Sequence, residues 1–118
     1  MTPAAARESY RKAIAAVGET VTIRRYSGLP PSRTAVNKTV KARVVGFAPD
    51  ELIGGIVQGD RRLIVLAEDI GSPITLPIVP GANDKVVVRG KEMTVKAVDD
   101  NTRRIAGELI ALEITVGG

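Results

Sequence analysis

The stretch NDKVVVRGKEMTVKAVDDNT, from Asn83 to Thr102, carries the reading of the fold. Three consecutive valines, Val86 to Val88, run into Arg89-Gly90-Lys91, after which Met93, Val95 and Ala97 alternate with polar residues. Two β-favouring runs joined by a short glycine-containing turn form a hairpin. The two-residue period puts Val86 and Val88 on one face and predicts a second inward row of Met93, Val95 and Ala97. The Arg89-Gly90-Lys91 tip is then exposed, either as a partner contact or as a plain solvated turn.

The same period recurs upstream. ETVTIRRY (19–26) alternates Val21, Ile23 and Arg25 with Thr22, Arg24 and Tyr26. KTVKARVVGF (38–47) sets Val40, Ala42 and Val44 against Thr39, Lys41 and Arg43. These strands are expected to pair as a long hairpin across a loop from Ser27 to Asn37, punctuated by Gly28, Pro30 and Pro31. RRLIVLAED gives an apolar strand from Leu63 to Ala67, launched by a turn at Gly59-Asp60. Between the two, Pro49, Asp50 and Glu51 offer a helical turn that Gly54-Gly55 would end at once. GSPITLPIVPGAN (71–83) holds three prolines and is excluded from a central strand. A last long strand is expected from about Gly107 to Val116.

The N-terminus changes to a helical period. Thr2 suits an N-cap, Pro3 the first helical position and Gly18 the stop. Tyr10, Ile14 and Val17 then define a narrow apolar stripe with Ala6 and Ala13 beside it. The expectation is a mainly β (α+β) chain: a small barrel or sandwich of about six strands over 19–116, one helix over 3–17, long loops, and a single domain over 1–118.

Composition narrows the chemistry. Tyr10, Tyr26 and Phe47 are the only aromatic residues, so the core is built from aliphatic side chains. Histidine and cysteine are absent, which removes disulfides and most nucleophile–base pairs and zinc sites. Adjacent carboxylates occur at Asp50-Glu51, Glu68-Asp69 and Asp99-Asp100, each beside a turn that such residues favour for conformational reasons. Asp99, Asp100 and Asn101 lack the ligand spacing of a calcium loop. No phosphate-cradling glycine motif is present. The reading is no enzyme, no cofactor and no metal. No apolar run reaches the roughly 20 residues of a membrane span, and 1–18 is too charged for a signal peptide, so synthesis and use in the cytoplasm are expected.

Charge is divided along the chain. Through Ala48 there are nine Lys/Arg against two Glu, a balance of +7; from Pro49 onward there are eight against eleven Asp/Glu, a balance of −3. Such a split fits a basic face for nucleic acid, with Arg24, Arg25, Lys41 and Arg43 as its candidates and Lys38 beside them. It fits equally two unlike surfaces meeting head to tail in an oligomer. Tyr26 and Phe47 are the only residues placed to stack on bases, few for a single-strand reader.

The order of parts, above all IVQGDRRLIVLAED with NDKVVVRGKEMTVKAVDD and LIALEITV, resembles the head-closure proteins of tailed bacteriophages, also called head completion, stopper or head–tail joining proteins. The resemblance runs from about Gly18 to Val116. It implies a β-barrel subunit of a homo-oligomeric ring, of six or twelve copies, in the virion neck. Such a ring closes the DNA-filled head between portal or adaptor and tail, while genomic DNA passes through without sequence-specific binding. Asp50, Glu51, Asp60, Arg61, Arg62, Arg89 and Lys91 would then belong to loops facing the channel or neighbouring proteins. The alternative reading is a small basic β-barrel that binds nucleic acid.

Overall fold

The computed structural model describes residues 1–46, 59–81 and 83–118. A helix, α1 (Pro3–Val17), precedes β1 (Glu19–Ser27), β2 (Thr34–Gly46), β3 (Arg61–Leu66), β4 (Asp84–Val88) and β5 (Lys91–Asp99). The short strands β6 (Arg104–Ile105) and β7 (Glu108–Leu109) come next, and β8 (Ala111–Gly117) closes the order. Six strands form a closed antiparallel barrel in the order β1-β2-β3-β8-β5-β4. Closure comes from β1 meeting β4, with Val21 opposite Val88 and Ile23 opposite Val86. In this cycle the β1–β2 hairpin stands across the barrel from the β8–β5 wall.

Period-two patterning fills the interior. Val21, Ile23, Val40, Ala42, Val86 and Val88 are buried in one core with Leu63, Val65, Leu112, Ile114 and Val116. The proline-bearing residues 71–81 form no strand, but Ile74 and Ile78 enter the same core with Ile70 and plug one end of the barrel. Buried residues of this kind are the main source of stability for an aliphatic core, at roughly 25 cal/mol per Å² of apolar surface removed from water.

Three strand boundaries shift. β2 begins at Thr34 rather than after Asn37, so the connecting loop is 28–33 and the hairpin longer than read. β3 runs Arg61–Leu66, and Ala67 opens a 3-10 turn through Asp69. The expected closing strand is broken: Ala106 (φ 52°) and Gly107 (φ 81°) reverse the chain between β6 and β7, and β8 starts only at Ala111. Arg89 (φ 51°) and Gly90 (φ 81°) make the same two-residue reversal between β4 and β5. Two successive positive φ values match the twist that a tight hairpin needs.

Ala97 is exposed, not inward, and Val98 packs against the core instead. Val95 pairs with Val116 but Ala97 with Thr115, so Lys96 is an extra residue, a β-bulge that moves the following side chains to the opposite faces.

The helix also packs otherwise than expected. Ala6 and Ile14 are buried and Tyr10 is half-buried, whereas Val17 is 58% exposed. Gly18 ends the helix one residue later, so Val17 lies beyond the docked face. Thr2 Oγ1 accepts the Ala5 N–H at 3.1 Å, capping the first turn. Arg7 bonds Glu108 at 2.8 Å, Arg11 pairs with Glu68 and Asp69, and Arg103 donates to the Tyr10 hydroxyl at 2.8 Å.

Candidate interaction surface

The proposed basic face separates along the strand period. Arg24 and Arg25 are neighbours in β1 and therefore point to opposite faces. Arg25 is a structural clamp: its guanidinium holds Asp84 through two bonds, at 2.8 and 3.1 Å. It also donates to the Thr75 and Pro77 carbonyls at 2.8 Å each. Asp84, whose side chain is 2% exposed, accepts the Val79 N–H at 3.0 Å as well. Arg25 and Asp84 thus fasten the 75–79 segment over the barrel end, and Arg25 is not offered to a ligand.

Arg24 is also engaged. It donates to Asn37 at 2.9 Å and to Glu92 at 2.8 Å, and Glu92 accepts the Tyr26 hydroxyl at 2.6 Å. Hydrogen bonds from Tyr26 and Arg24 hold the Glu92 carboxyl below its ordinary range. The Tyr26 ring carries the Arg33 guanidinium 4.2 Å from its centroid, so one of its faces is covered. Lys38 pairs in register with Ile23 and shares the row of Val40 and Ala42, not that of Lys41 and Arg43. Lys41 and Arg43 remain as exposed outward cations of β2.

The partner-loop candidates divide in the same way. Asp50 and Glu51, with Phe47, lie outside the described residues. Asp60 is 2% exposed, and its carboxylate accepts from Lys96, the bulge residue, at 2.8 Å. Burial takes it off the surface, so its expected place in a contact loop is corrected. Arg62 faces Glu113 on the barrel wall at 3.5 Å. Arg61, Arg89 and Lys91 do come together, lining a shallow concavity with Gly59, Val88 and Met93. Arg89 spends both ends of its fork on Glu19, at 2.9 and 2.8 Å, and this lowers the Glu19 pKa.

Of the carboxylate pairs, Asp50-Glu51 lies outside the described residues, and only Asp99 makes the local backbone bonds of the turn reading. Glu68 and Asp69 bind Arg11. Asp99 accepts the Thr102 hydroxyl at 2.7 Å and the Thr102 and Asn101 N–H groups at 3.0 and 2.9 Å, bonds that lower its pKa to about 2. Among the described residues no group of three or more His, Cys, Asp or Glu is placed to hold a metal ion.

One feature was not read from the sequence. At the plugged end, on the β5–β8 side, Leu76, Pro77, Ile78, Val98, Leu109 and Leu112 line a groove of about 230 Å³, with exposed Asp100 and Arg104 beside them. Exposed Leu29 (82%), Val36 (38%), Leu76 (38%) and Val79 (49%) belong to segments at this same end. Its residues come from two segments that begin more than twenty positions apart, at Leu76 and Val98, and only the unusual apolar content of a proline-rich connection hinted at it. Comparison with protein-family models, curated proteins and solved structures finds no match.

Proposed function

We propose that the chain is a structural subunit of the neck of a tailed bacteriophage, forming a ring between portal or adaptor and tail. The ring closes the DNA-filled head and gives the tail its docking surface. The observation that carries this reading is the opposition of two unlike walls on one barrel: a β1–β2 hairpin with six Lys/Arg and no acid between Thr20 and Gly46, across from the wall that bears an apolar groove. Unlike surfaces on opposite sides are what a head-to-tail ring requires. The resemblance of the order of its sequence segments to head-closure proteins supports the same reading.

In this role the barrel is a rigid spacer and its loops are the contacts. Engaged arginines such as Arg24 and Arg25 suit a subunit that surrounds DNA without gripping it, because each phosphate neutralised adds salt-dependent affinity. The test mixes purified protein with tailless, DNA-filled heads and follows bound mass by light scattering and ring formation by negative-stain microscopy. A ring at the head vertex is the expected result. Heads that leave the chain in solution would overturn the assignment.

A further inference from the structure

We infer that the free edge of β2 over 34–39 accepts an extended, carboxylate-bearing segment of a partner protein as an added strand. The inference is independent of the neck reading. β2 pairs with β1 over 34–42 without a break in register, but β3 covers its other edge only over 42–46. Past the barrel rim the hairpin therefore runs on as a two-stranded ribbon, in which Thr34, Ala35, Val36 and Asn37 are exposed. Alternate residues of such a strand turn their N–H and C=O groups away from the strand they pair with. Among the described residues no backbone group outside β1 meets those of 34–39. A two-stranded ribbon is marginal in water, and a third strand completes it. This edge suits one: Thr34, Val36 and Thr39 are β-branched, and neither proline nor bulge interrupts it.

Charge selects the occupant. Thr34, Val36 and Lys38 share one row of the strand, and Lys38 is the only charged residue of the edge. It is half-buried, and among the described residues it has neither an ion pair nor a side-chain hydrogen bond. A lysine on an edge strand guards it against copies of the same edge. No acidic residue stands between Thr20 and Gly46, so the hairpin of a second copy would meet Lys38 with like charge only. A strand that sets a carboxylate beside Lys38 and an aliphatic side chain beside Val36 gains a favourable cross-strand pair at each.

The probe is the capped peptide Thr-Glu-Thr-Val-Thr-Glu-Thr, whose palindromic order sets valine beside Val36 and glutamate beside Lys38 in either strand direction. The full chain should bind it saturably. Amide hydrogen exchange should slow at alternate residues of 34–39, those turned away from β1, and stay unchanged at the β1-bonded ones. Lysine in place of both glutamates should abolish binding. Lys38→Glu should weaken the original peptide several-fold and admit the lysine form. Methylating the peptide's backbone nitrogens keeps its charge and removes its ladder donors, so that form should not bind. Absence of binding, equal binding of the methylated form, or protection that maps away from 34–39 would overturn the inference. Free chains that already protect these amides by pairing with each other would overturn it too, by making a second copy the occupant.

Discussion

Arg25 shows what a single residue's neighbours in sequence cannot reveal. Read in RRY it is half of a basic pair; folded, it spans to Asp84, fifty-nine positions away, and to two carbonyls of the plug. The decisive partner was in plain view as the second residue of the 83–102 hairpin, but nothing local marks an aspartate for burial. Removing one member of a buried, hydrogen-bonded pair typically costs about 3–5 kcal/mol. Asp84→Ala should therefore lower stability by about 3 kcal/mol, read as a fall in urea midpoint at unchanged slope. A change below about 0.5 kcal/mol, ordinary for a surface site, would refute the clamp. Asp99 gives a second test at this scale. Its pKa is depressed in the folded chain from the ordinary 3.8 to about 2. The stabilisation it brings is therefore complete above the unfolded value and disappears as pH falls through about 2. An NMR titration should find the Asp99 midpoint near 2, and Thr102→Val should move it up toward the ordinary value.

At the scale of elements, the alternation of apolar residues made the strands of the barrel legible, and its interruptions did not show. Ala97 and Val98 exchange faces because of one extra residue, Lys96, whose side chain reaches buried Asp60. A bulge leaves no local signature when the residues on either side are both small and aliphatic. Closure of the barrel was equally silent, since inward rows read alike in a sandwich, and only the meeting of β1 with β4 distinguishes the two. The helix was legible in its ends but not in its docking. None of its residues belongs to the barrel core; it is held by buried Ala6 and Ile14 and by ion pairs to Glu68, Asp69 and Glu108. Truncating a buried isoleucine costs about 2–5 kcal/mol. Ile14→Ala should spend that cost on undocking the helix rather than on opening the barrel. Hydrogen exchange should then accelerate at the amides of α1 while β1, β4 and β8 keep their protection. A uniform loss across both would show that helix and barrel unfold as one unit.

For the whole molecule, charge distribution separates the two functional readings. The sequence showed six cations in 20–46 and suggested one basic face, but the strand period and the carboxylates that meet it divide them. Arg24 and Arg25 are matched by Glu92 and Asp84, Lys38 lies on the inward row, and Lys41 and Arg43 are left outward on β2. Stacking is equally thin, with one face of Tyr26 covered by Arg33. Counterion release gives a slope of about −0.9 in log K against log salt for each duplex phosphate neutralised. With two outward cations on this face, weak DNA binding at low salt should follow a slope of about −2 and vanish at physiological salt. Lys41→Ala with Arg43→Ala should flatten it almost completely. A slope several-fold steeper, surviving that double substitution and retained at physiological salt, would mean that other basic residues converge on the phosphates. The neck reading would then give way to a nucleic-acid-binding barrel, because a conduit that grips its cargo in every turn of the duplex would resist the passage it exists to allow.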